Sequence, residues 1–213
     1  MIDPASLRFI IGQGNWFREA RTFTDQFDPH YWDDFRPCRE GEIAACERAV
    51  NRRLPGDFRE FLLGVGAGNF GSGGEIYTPE EIVLASHGPF LTMLGSADWA
   101  TDEAQRRLYA SRGADNPRPE LFTDDAMICD GVNLIDLLQI GSDGQGCYHQ
   151  LYLADPPRPF GYCLLDCGES FEDRLPSFTD GLKHILTMHW RSANGVDQAT
   201  KFGLDISGIT WDE

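Results

Sequence analysis

From Arg39 to Tyr77 the chain reads REGEIAACERAVNRRLPGDFREFLLGVGAGNFGSGGEIY, and the reading of this stretch decides the fold. It parses as helix, Leu-Pro break, second helix, glycine-rich loop and short strand. Ile43, Cys46, Val50 and Leu54 recur at helical spacing, which places them on one face of the first helix. Pro55 ends that helix, because its ring removes a backbone donor and clashes with the preceding turn. It suits the first turn of the next helix, where Phe58, Phe61, Leu62 and Val65 recur at i, i+3, i+4 and i+7. Gly64 supplies the stop. Two amphipathic helices meeting at a proline corner need a third surface to cover their apolar stripes.

Working outward, residues 1–38 form an extension ahead of a domain of residues 39–213. Trp16, Phe17, Phe23, Phe27, Tyr31, Trp32 and Phe35 make it too aromatic for a disordered tail, so it is expected to pack on the domain, with a partner surface as the alternative. Within it, Leu7, Phe9, Ile10 and Ile11 suggest a short helix or strand. Downstream, Thr78-Pro79-Glu80-Glu81 combines a cap, a first-turn proline and a capping-box glutamate, and so predicts a helix start. Residues 85–125 carry little pattern. A helix is expected from Asp102 to Ser111 with Thr101 as cap, broken by Asn116-Pro117-Arg118-Pro119.

Three apolar or aromatic runs follow, at 137–140, 148–153 and 160–165, separated by turn-rich segments; they predict an antiparallel meander. Alternation places His149, Leu151 and Leu153 on one side, and Tyr148, Gln150 and Tyr152 on the other. Ser177 caps a last helix with Asp180 in the capping-box position, and Phe178, Leu182, Ile185, Leu186 and His189 line one face. Gly195, Gly203 and Gly208 mark a strand-like tail. The expected class is α+β: an antiparallel sheet flanked by N-terminal helices and a C-terminal helix.

Glu42-Ile43, Glu47, Leu54-Pro55, Asp57-Phe58 and Phe61-Leu62, followed by a glycine turn and a short strand, resemble the opening motif of the SUKH superfamily. The Ser177-Phe178 helix start agrees with the same pattern. The resemblance covers the chain from Glu40 to Trp190 and is weakest across residues 85–125. It departs where the family often has Asn-Gly after the second helix, since Val65-Gly66-Ala67-Gly68 stands here. It implies a SUKH-like fold and the role of an immunity protein that binds and blocks a bacterial toxin domain. The superfamily also includes fungal cell-wall regulators.

The formal charge of −16 disfavours nucleic-acid phosphates and anionic membrane surfaces and favours basic partners. No apolar run approaches the roughly 20 residues needed to span a bilayer. Met1-Ile2-Asp3-Pro4 lacks a basic region followed by an apolar block, so a cytoplasmic location is expected. The six cysteines are scattered, and reduced thiols are the expected state.

Catalytic and metal patterns fail on context. Gly66-Ala67-Gly68-Asn69-Phe70-Gly71 satisfies G-x-G-x-x-G but follows a helix instead of a strand, which argues for a turn and against a dinucleotide site. Cys163 and Cys167 lack a second zinc-spaced pair. His184 and His189, five apart, turn to different faces of a helix. Cys147 and His149 project to the same side of a strand. A nucleophile pair is one reading; a half-buried thiol beside a surface imidazole is the favoured one. No catalytic residue, metal or cofactor is therefore assigned.

Glu47 either bonds backbone donors at the Leu-Pro corner or sits exposed, and Asp57 complements the dipole of the second helix. From Gly141 to Asp173 the chain carries Asp143, Asp155, Asp166, Glu169, Glu172 and Asp173 against Arg158 alone. Acidic loops projecting from a rigid meander would meet the basic face of a nuclease toxin, or else be solvated tips. Trp99 is a candidate aromatic anchor or a core residue. The expectation is a non-enzymatic protein whose partner is a cognate, basic toxin domain. A regulatory scaffold of the same fold is the alternative, and an enzyme using Cys147 or Cys167 a more distant one.

Overall fold

A computed structural model describes residues 7–70, 74–87, 128–129, 132–133, 136–154, 160–166 and 170–195. The first helix of the corner, α2 (Glu40–Ala49), ends well before Leu54. Val50 caps it, and Asn51 then adopts φ +51°, a left-handed conformation that its short polar side chain tolerates. Leu54 therefore reaches the core from an extended segment and not from the helix face that its spacing implied. It is buried all the same.

Pro55 occupies the N-cap of α3 (Gly56–Gly64), which buries Phe58, Phe61 and Leu62. The helix is closed two residues past Gly64. Val65 N–H and Gly66 N–H both donate to the Phe61 carbonyl, at 2.8 and 2.9 Å, and Gly66 takes φ +105°. A Cβ at Gly66 would run into the Arg36 carbonyl, whose strand segment bridges to Ala67. Short strands β1 (Gly68–Asn69) and β2 (Glu75–Ile76) follow and pair antiparallel. The G-x-G-x-x-G match is thus the lead into a hairpin.

Upstream, Leu7 to Ile11 form neither helix nor strand, although Phe9 and Ile11 are buried. The helix of this region is α1 (Trp16–Thr24). Its residues and those after it join the same core as the corner. The Trp16 and Trp32 rings lie 6.2 and 6.5 Å from Phe61, and Trp32 Nε1 donates to buried Thr24 Oγ1 at 2.8 Å. The indole is thereby sunk without an orphaned donor.

Helix α4 (Pro79–His87) starts as the sequence predicts: Thr78 Oγ1 accepts from Glu81 N–H at 3.2 Å while Glu81 accepts from Thr78 N–H at 2.8 Å. The residues expected to form the Asp102–Ser111 helix, the proline break after it and the glycine-bearing tail beyond Gly195 lie outside the described residues. β3 (Ile128–Cys129) and β4 (Val132–Asn133) form a separate antiparallel pair.

The main sheet adds β5 (Leu137–Ser142), β6 (Cys147–Tyr152), β7 (Tyr162–Asp166) and β8 (Ser170–Leu175). Among the described residues it is six-stranded and wholly antiparallel in its pairings, in the order β1-β2-β5-β6-β7-β8. β8 corrects the reading of 170–173 as loop: Glu172 and Asp173 belong to a strand, and Asp166 ends another. Charged residues hide a strand from an apolar-run criterion, because an edge strand needs little burial.

Helix α5 (Phe178–Ala193) lies on the sheet with Phe178, Leu182, Ile185 and Leu186 buried. Gly181 lets it settle: a Cβ there would stand 2.6 Å from the Tyr162 ring. Leu138, Ile140, Leu151, Leu153 and Tyr162 meet the helices in one cluster. The opposite row, Leu137, Gln139, Gln150, Tyr152, Cys163 and Leu165, is buried too but stands apart from that cluster. The β6 alternation holds, and both of its faces are covered.

Candidate functional site

Two carboxylates of the corner do structural chemistry. Glu47, nearly buried, accepts from Leu54 N–H at 3.0 Å, the first of its two alternatives. Arg59 Nη1 lies 2.9 Å from its other oxygen, outside hydrogen-bonding geometry, so that contact is coulombic. Arg59 also bonds Glu40. The Glu47 carboxylate thus holds the link between the two helices against α2 and orients α3.

Asp57 reaches further than its own helix. One oxygen accepts from Phe58 N–H at 3.0 Å; the other accepts from Thr179 N–H at 2.8 Å and Thr179 Oγ–H at 3.1 Å. One negative charge therefore serves two helix N-termini, where unsatisfied N–H groups and the dipole both favour it. Ser177 completes the α5 cap by accepting from Asp180 N–H at 3.2 Å. Nothing in the local pattern around Asp57 announces a partner so distant in the chain.

Two histidines pack against tyrosines, buried His149 in the sheet and half-buried His189 on α5. His149 is buried, not the surface imidazole expected beside Cys147, and its Nδ1 stands 2.7 Å from Tyr162 Oη. Burial pushes His149 down to about 4, with Asp143 opposing. His189 on α5 meets Tyr31 in the same way and packs against Phe70; burial takes it to about 4 as well. Burial pushes both tyrosines up, so each hydroxyl keeps its proton beside a neutral imidazole. His184 faces elsewhere and lies 3.1 Å from Asp173.

Two of the thiols are held protonated by their surroundings. Cys38, Cys46, Cys147 and Cys163 are free, and burial pushes Cys46 and Cys163 up to about 12. Those two remain thiols at neutral pH. Among the described residues there is no group of three or more His, Cys, Asp or Glu able to hold a metal. No helix among them is long and apolar enough to cross a membrane.

The acidic candidates scatter. Asp143 turns inward on the β5–β6 hairpin, accepting from Gln145 N–H and Cys147 N–H at 2.8 Å each, so it shapes the turn. Asp166 and Glu172 sit on neighbouring strands β7 and β8, the latter at the end of the sheet order. Trp99, Asp155, Glu169 and Cys167 lie outside the described residues.

What sequence reasoning missed is basic. A cleft of about 490 Å³ opens at the C-terminal end of α2, lined by Ala44, Glu47, Arg48, Asn51, Arg52 and Arg53. A second, more apolar groove of about 560 Å³ runs between α2 and α4, floored by Ala45, Cys46, Ala49 and Val83. The run Arg48, Arg52, Arg53 was visible in a chain with only 18 basic residues. The run alone does not place the three in one cavity, because the turn at Asn51 is what brings them together. Compared with models of known families and with the curated proteins, the chain matches none of them.

Proposed function

We propose that this protein acts by binding and not by catalysis, as an immunity protein of the SUKH type that occludes a cognate bacterial toxin domain. The observation that carries the reading is the corner motif, Glu47, Leu54-Pro55, Asp57-Phe58 and Phe61-Leu62, at the head of an antiparallel sheet flanked by helices. The net charge of −16 supports a basic partner, such as a nuclease whose substrate is polyanionic. Complementary charge of this kind speeds encounter and narrows partner choice more than it adds affinity.

The face proposed for the partner is the β7–β8 end of the sheet, where Asp166, Glu172 and Asp173 lie close along paired strands. Trp99, Asp155 and Glu169 remain proposed contacts, and Asp143 contributes through the hairpin it shapes. The test is co-expression with any toxin-like domain that is encoded beside this gene. A stable complex that protects cells, weakened by Glu172→Lys with Asp173→Lys, is the expected result. Absence of any complex with such a domain would remove the proposal.

A further inference from the structure

We propose that the arginine cleft at the end of α2 binds the phosphoryl group of a small phosphate monoester, a role that toxin occlusion does not use. The lining carries three guanidiniums and the Glu47 carboxylate, a formal charge of two positive in a chain of −16. The local charge therefore opposes the sign of the molecule. With Asp136 beside Arg52 counted as well, one positive charge remains, still opposite in sign to the chain.

The arginines keep donors in reserve. Glu47 is already occupied by Leu54 N–H and Arg59, which leaves Arg53 at 3.6 Å with its side chain 90% exposed. Arg52 donates to the Asn51 carbonyl at 3.1 Å and stands 3.7 Å from Asp136. Both ion-pair distances exceed the roughly 2.7–2.9 Å of a charge-assisted bond. Arg48 is exposed, and among the described residues no ion pair is formed by it.

Backbone geometry gathers these groups. The left-handed turn at Asn51 breaks α2, so Arg52 and Arg53 line the same cavity as Arg48 on the last turn. The dipole at a helix C-terminus disfavours an anion, which makes the guanidiniums the source of any affinity. Planar forks from several directions suit a tetrahedral group with several acceptor oxygens better than a carboxylate with two. The cleft volume falls within the roughly 300–1,000 Å³ typical of small-molecule sites, which leaves room for the compact organic body of an ester beside the phosphoryl group.

The test follows the arginine Nε–Hε signals of the full chain by NMR while inorganic phosphate, adenosine monophosphate or malonate is added at constant ionic strength. Saturable shifts at Arg48, Arg52 and Arg53 are expected with both phosphates, tighter with the ester, and much weaker with malonate. Arg48→Gln with Arg53→Gln, both solvent-facing, should lower affinity at least about tenfold while the melting curve is unchanged. No saturable shift, equal binding of malonate, or undiminished affinity in the double variant would overturn the site. Toxin co-purification is scored separately, so either proposal can fail alone.

Discussion

Acidification from pH 7 to pH 5 should destabilise this protein through His149 and His189. Each has its folded pKa lowered from 6.5 to about 4, chiefly by burial. Between those values the unfolded chain takes up a proton at each site that the folded protein refuses. Stability therefore falls as pH drops through this window, and the full contribution is lost by about pH 4. The linkage relation gives about 2 kcal/mol per histidine between pH 7 and pH 5, or roughly 4 kcal/mol together. That is a large share of the roughly 5–15 kcal/mol that holds a typical domain folded. Urea unfolding at half-unit pH steps measures it. His189→Phe and His149→Gln should each cost stability at pH 7, because Tyr31 or Tyr162 loses the imidazole its hydroxyl is fitted to, and each should remove about half of the pH slope. Glu75, which burial and then Glu81 push up, works in the opposite direction, so the variants are the decisive comparison. Slopes unchanged in both variants would refute the reasoning.

Asp57→Ala should cost about 2 kcal/mol in urea unfolding, since two helix N-termini lose one acceptor; an effect near zero would mean that neither cap depends on it. Glu47→Gln should cost about 1–3 kcal/mol, because Arg59 keeps its charge in a half-buried site after losing the facing carboxylate. Gln150→Met runs the other way. Among the described residues neither side-chain polar atom of buried Gln150 has a hydrogen-bond partner, so the exchange should be neutral or stabilise by about 1 kcal/mol in thermal melts. A clear loss of stability would show that the amide is satisfied in solution.

Periodicity and capping chemistry carried most of the element list. α3, α4, α5 and the β5–β7 meander all follow from apolar spacing bounded by Pro55, Thr78 and Ser177, because those signals are local. The errors have equally physical causes. Leu54 kept helical spacing while Asn51 had already turned the backbone left-handed, and residue spacing does not register a dihedral. β8 escaped because Ser170–Leu175 carries Glu172, Asp173 and Arg174, which do not look like a strand. The Tyr31–His189 and His149–Tyr162 contacts depend on tertiary placement, so no motif foretells them. The arginine cleft needed the turn at Asn51 before its three cations could be seen to share a cavity.

The Asp57–Thr179 bond joins residues 122 positions apart. Closing a loop of that length costs roughly 4 kcal/mol of chain entropy before any native contact compensates for it. The proline corner, although assembled from neighbours, consequently cannot mature until α5 has left the ribosome. Nascent chains halted short of Thr179 should expose the Phe58 and Phe61 rings that Phe178 otherwise contacts, and so fall to chaperones or proteases. Late completion of the corner during synthesis follows from where a single carboxylate finds its second helix.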